Sequence, residues 1–255
     1  HNVVKTYNDA EETVKIALVG KYVDLHDTYK SIHEALIHGG LSKQRRTEIV
    51  YLDSEHLEKS GDFSAHFEGI QGILVPGGFG QRGIEGMIST ARYARTRKVP
   101  FFGICLGLQI MVIEYARSVL GYEDANSTEF AHDGPYPVIS LLEEQIDISA
   151  YGGTMRLGKN ETVLKEYTKM WESYRAGSIY ERHRHRYEVS NQYRDELVEF
   201  GLIVSGVTPD EALVESIEWN DHPWGVGVQF HPEFKSRPTD PHPLFTSFIG
   251  ACIEQ

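Results

Sequence analysis

The chain has 255 residues, 40% of them hydrophobic and 24% charged, enough apolar material for one large α/β domain. Twenty-five basic residues against 37 acidic ones leave a net charge of -12, which argues against a general electrostatic attraction to nucleic-acid backbones or anionic membranes. The two cysteines make neither a disulfide framework nor a Cys-x-x-Cys metal pattern, and no apolar run reaches bilayer-spanning length, so a reducing cytoplasm is the expected location.

Residues 1–13 are polar and read as a linker or a cloning remnant, and residues 14–255 as one domain. Lys15 to Tyr22 has the continuous apolar centre of a strand buried on both faces. A helix is predicted to follow, with Asp27 as N-cap and Tyr29, Ile32, Ala35 and Leu36 as its apolar stripe. Thr47 to Leu52 and Gly72 to Val75 are the next strands, the second stopping at Pro76-Gly77-Gly78-Phe79-Gly80. Glu85 to Lys98 suits a helix, Val99 to Ile104 a fourth strand, and Leu108 to Leu120 another apolar segment. Beyond it, Gly201 to Val207, Leu213 to Trp219 and Trp224 to Phe230 read as strands, and Leu244 to Ile253 as a closing helix whose apolar face includes Cys252. This alternation predicts a doubly wound α/β fold: a mainly parallel central sheet with helices on both faces and additional antiparallel strands.

In such a sheet, ligands gather at the carboxyl ends of the strands, which brings Gly77-Gly78 and Gly103-Ile104-Cys105-Leu106-Gly107 to one edge. The second run sets a thiol on a sharp strand-to-helix turn, like the nucleophile elbow of serine hydrolases, and the N-terminus of the following helix favours a thiolate. The same run also suits a buried structural cysteine. A nucleophilic thiol needs a base and a group to orient it. His231-Pro232-Glu233 supplies both types two residues apart, on the same side of an extended chain, although a surface turn reads identically. The backbone N–H of Leu106 and one from the Gly77-Gly78 turn complete a candidate oxyanion hole. His183 and His185 lack further ligands at metal-binding spacing, so no metal is expected.

Pro76-Gly77-Gly78-Phe79-Gly80, Gly103-Ile104-Cys105-Leu106-Gly107-Leu108-Gln109 and His231-Pro232-Glu233 resemble the three signatures of class I glutamine amidotransferases. Four longer runs are similar to the glutaminase domains of the CTP synthase family. They are residues 20–25, residues 124–130, residues 152–158 and Glu181-Arg182-His183-Arg184-His185-Arg186-Tyr187-Glu188-Val189. The resemblance implies hydrolysis of L-glutamine with Cys105 as nucleophile, His231 as proton carrier and Glu233 as its orienting group. Gly78 and Leu106 then hold the oxyanion, while Phe79 (through its backbone), Gln109, Glu129 and Arg186 bind the substrate. Glu129 and Arg186 match the ammonium and carboxylate of a free amino acid, with Arg182 and Arg184 as rival cations.

The resemblance also implies a partner amidoligase (synthetase) domain using ATP, Mg and UTP, GTP as an allosteric activator, and a homo-oligomeric whole protein. This domain itself is expected to need no cofactor. No Gly-x-x-x-x-Gly-Lys-Ser/Thr loop occurs here, so the amidoligase half is expected to lie outside these residues. Thr154 to Lys159 resembles a mobile lid beside the active site, and Asn160 to Ser178 matches no family run. The competing readings are another class I glutamine amidotransferase, a γ-glutamyl hydrolase, or a noncatalytic regulatory module with the same fold.

Overall fold

The computed structural model describes residues 5, 9–21, 23, 28–60, 63–141 and 155–255. In chain order the strands are β1 (Thr13–Gly20), β2 (Arg46–Asp53), β3 (Gly72–Val75), β4 (Phe101–Ile104), β5 (Ala125–Ser127), β6 (Tyr136–Ser140), β7 (Arg156–Leu164), β8 (Ser178–His185), β9 (Glu188–Val189), β10 (Leu202–Val207), β11 (Val214–Trp219) and β12 (Gly225–Val228). The helices are α1 (Lys30–Ser42), α2 (Ser54–Glu58), α3 (Ile84–Arg97), α4 (Leu106–Ser118), α5 (Lys169–Tyr174), α6 (Asn191–Glu199) and α7 (Pro243–Ile253), with 3₁₀ turns at Ser64–Phe67 and Pro232–Lys235.

Nine strands form one sheet in the order β2-β1-β3-β4-β12-β11-β10-β7-β8. The first five run parallel and the remainder join antiparallel, as the sequence pattern implied. A small second sheet, β5-β6-β9, packs against α4.

The strand period of two sorts the core into two layers. Ala17, Val19, Ile73, Val75 and Phe101 pack on α3 and α4, whereas Ile16, Leu18, Leu74, Phe102 and Ile104 pack on α1 and α7. Cys252, fully buried on α7 beside Gly72, belongs to the second layer, and burial pushes its thiol up. Helix α4 is buried from Leu106 to Ala116, so even Glu114 must be satisfied internally. Arg95 on α3 does this with a two-pronged ion pair, both N–H···O distances 2.8 Å.

Several boundaries move relative to the sequence reading. The first strand ends at Gly20, and α1 begins at Lys30 with Tyr29 at its N-cap and no side-chain cap bond; Asp27 lies outside the described residues. The strand predicted to run from Trp224 to Phe230 keeps its register with β4 over Gly225–Val228, where β4 ends at Ile104, and is bonded to β11 one residue further, at Gln229. The lid-like segment differs more: residues 156–159 lie in β7, paired in register with Arg182 to His185 of β8, while Thr154 is outside the described residues.

Candidate active site

Strand β4 turns into α4 at Cys105, which carries the unfavourable backbone itself, φ 53° and ψ -100°. A non-glycine residue in that region is held by its surroundings and marks a functional turn. Here Cys105 N–H donates to the Val228 carbonyl at 2.7 Å, fastening the elbow to β12. The flanking glycines serve close packing: a Cβ on Gly103 would lie 2.6 Å from Gly107, and one on Gly107 would collide with the Val75 carbonyl.

The chain leaving β12 brings His231 to the thiol. His231 N–H donates to the Arg182 carbonyl of β8 at 2.8 Å, and its Nδ1 lies 2.7 Å from Glu233 Oε1. Burial alone disfavours a charged imidazole here, but the Glu233 carboxylate and hydrogen bonding to Cys105 outweigh it and raise His231 to about 10. Phe234 stacks on the imidazole at 5.4 Å between ring centroids. Gly77 must lack a side chain, since a Cβ would lie 2.9 Å from the ring and press it away from Cys105. The three residues predicted to act together thus converge.

Cys105 and His231 open into a cleft of about 250 Å³ that Gly77, Gly78, Phe79 and Arg184 also line. That volume suits a small, single amino acid better than a nucleotide. Leu106 is the first residue of α4, so its N–H has no acceptor within the helix. The glycine turn is pinned from beneath: buried Lys21 donates from Nζ to the carbonyls of Phe79 (3.1 Å) and Gly80, and Gly80 N–H donates to Glu129 Oε1 at 2.8 Å. Burial lowers Lys21 to about 8 against the opposing pull of Glu129. Glu129 therefore braces the loop beside Phe79, a contact that spacing alone did not reveal.

Gln109, buried on the first turn of α4, donates from Nε2 to the Tyr187 carbonyl at 3.1 Å. Burial raises the Tyr187 hydroxyl, with smaller opposing effects of Glu129 (raising) and Arg186 (lowering); neither Glu129 nor Arg186 lines the thiol cleft. Arg184 lines the thiol cleft, whereas Arg186 is exposed one residue past the end of β8. On the inward side of β8, His183 and His185 join Glu188, Glu215 and Arg156 in a buried cluster. Burial first, then Arg156, lowers these imidazoles to about 2 and about 3, so both are neutral.

Sequence reasoning passed over Gln229. Its Nε2 donates to Cys105 Sγ at 3.7 Å, and it precedes His231 by the same two-residue step that paired His231 with Glu233. The signal was available: alternate residues of one extended segment face one cleft.

The glutamine amidotransferase class-I family model matches residues 24–251. The chain is 54% identical over 256 residues to CTP synthase of Geobacter sulfurreducens, covering all of this chain and 48% of that protein. It is 51% identical over 252 residues to CTP synthase of Aquifex aeolicus, covering 99% of this chain and 47% of the relative. The chain therefore spans about half the length of the curated relatives it matches. Its fold is similar to the glutaminase domain of Trypanosoma brucei CTPS with bound acivicin, at 38% identity and a TM-score of 0.89, covering 95% of this chain and 94% of that one.

Proposed function

The chain belongs to the class I glutamine amidotransferases and, among them, to the glutaminase domains of CTP synthases, and we propose from that premise that Cys105, His231 and Glu233 hydrolyse L-glutamine to glutamate and ammonia. The observation that carries this reading is the continuous contact Cys105–His231–Glu233 at the mouth of a cleft of amino-acid size.

His231 enters the reaction protonated, held so by Glu233 and Cys105. The sulfur attacks the side-chain amide carbon, and the carbonyl oxygen gains charge beside the backbone N–H groups of Gly78 and Leu106. His231 gives its proton to the departing nitrogen as the C–N bond breaks, releasing ammonia and leaving a thioester. Water then attacks the thioester as His231 takes one of its protons, and glutamate leaves with the thiol site restored.

Glu129 meets the substrate ammonium and Arg186 its carboxylate, with Arg184 as the second cation nearer the sulfur; Phe79 adds a backbone contact and Gln109 a polar wall. These residues discriminate a free amino acid from a blocked γ-glutamyl peptide by leaving a charge of the site without its partner when an end group is missing. In the whole protein, released ammonia is used by the synthetase domain to aminate UTP to CTP with ATP and Mg. GTP activation and homo-oligomer formation likewise belong to that larger assembly.

Glutamate release from glutamine, asparagine and a γ-glutamyl peptide tests the proposal, with and without the synthetase half and GTP. Slow glutamine turnover that the synthetase half and GTP accelerate is expected, because closure of such sites is commonly completed by partner contacts. Preference for the peptide, or no turnover of glutamine under any condition, overturns it.

A further inference from the structure

We infer that Gln229 is a further catalytic residue of this site, its side-chain amide donating a hydrogen bond to the Cys105 sulfur under the direction of Gln109. This rests on the proposed thiol chemistry but not on the identity of the substrate.

The hydrogen-bond chain starts at an acceptor that can play only one part. The Tyr187 carbonyl accepts a hydrogen bond, so the group of Gln109 facing it at 3.1 Å must be its NH₂. That same Nε2 lies 3.4 Å from Gln229 Oε1, and a donor there obliges Gln229 to turn its oxygen toward Gln109. Its own NH₂ is then left facing Cys105 Sγ, 3.7 Å away. Gln229 is fully buried and Gln109 nearly so, so water does not compete for these groups. The Gln229 backbone is held separately, its N–H donating to the Glu215 carbonyl at 2.8 Å, which places the side chain without help from the sulfur.

An anionic sulfur gains from each donor it accepts, and a hydrogen bond to a charged group is stronger than one between neutral groups. His231 is one donor to Cys105, and Gln229 is the second. Two donors also fix the direction of the sulfur lone pair that attacks the amide carbon. The chain of hydrogen bonds thus reaches from the Tyr187 carbonyl through Gln109 and Gln229 to the nucleophile.

Gln229→Met keeps the side-chain length and removes both donors. Its test is the rate of Cys105 alkylation by iodoacetamide against pH, read beside glutamine turnover and the melting temperature. The expected result is an alkylation profile whose half-maximum lies about 1 pH unit higher, and a kcat roughly 10- to 100-fold lower with KM little changed. A residue that only filled space leaves the profile where it was. If Gln229→Met does not fold, Gln229→Glu, nearly the same size but with an acceptor facing the sulfur, is expected to move the profile upward as well. An unmoved profile in the folded variant, with kcat within about twofold of the parent, overturns the inference. A moved profile in a chain that hydrolyses no glutamine supports the role of Gln229 and overturns only the proposed substrate.

Discussion

Cys105→Ser is expected to lower glutamine hydrolysis by about 10⁴-fold while leaving the fold intact. A hydroxyl fits the elbow, because the left-handed φ of 53° is a backbone property and the site is held by Cys105 N–H to Val228 and by the Gly103 and Gly107 contacts. What serine lacks is the thiol's acidity and intrinsic nucleophilicity: at the same elbow a hydroxyl is a far weaker acid and a far weaker nucleophile. Ammonia release and thermal unfolding, measured on the same preparation, check both halves of the statement. Turnover within about tenfold of the parent contradicts a thiol nucleophile.

Glu233→Gln is expected to cost about 10³- to 10⁴-fold in turnover, with a distinct signature at His231. The carboxylate does two things: it accepts from Nδ1 at 2.7 Å, fixing the ring, and it opposes the burial that disfavours imidazolium. The amide removes the charge and allows the opposite ring tautomer. His231 in the variant titrates well below about 10, readable from its imidazole proton shifts across a pH series. The sign for stability follows. His231 is raised in the folded state, so its contribution is full below about pH 6.5 and is lost as pH rises through about 10; the variant loses most of that pH dependence. An imidazole that still titrates near 10 without Glu233 contradicts this account.

The parallel half of the sheet was legible because β1, β3 and β4 are short apolar runs buried on both faces and punctuated by glycine. The other edge was not, and β8 shows why. Its inward residues are Ile179, Glu181, His183 and His185; Glu181 bonds Lys235 and His242, and His183 lies 3.5 Å from Glu215, so this edge is mostly polar and hydrophobic periodicity has little to report. Strand β7 and helix α6 are similarly poor in apolar residues, and α5, β5 and β9 are too short to show a period. At the site, Cys105, His231 and Glu233 were readable from turn chemistry and spacing. The bracing roles of Lys21 and Glu129, and the position of Arg184 in the cleft, depend on where distant loops meet, which spacing does not encode. Part of two family-like runs, including Asp24, Leu25 and residues 152–154, falls outside the described residues.

The proposed hydrolysis opens glutamine through a covalent bond to Cys105. Acid quenching of the chain during turnover of isotopically labelled glutamine, followed by intact-mass and peptide analysis, reads that bond directly. The expected result is a labelled γ-glutamyl group on the peptide carrying Cys105, formed with one equivalent of ammonia, lost on hydroxylamine treatment and missing in Cys105→Ser. Glutamate release at the full rate with label on no cysteine peptide would contradict it.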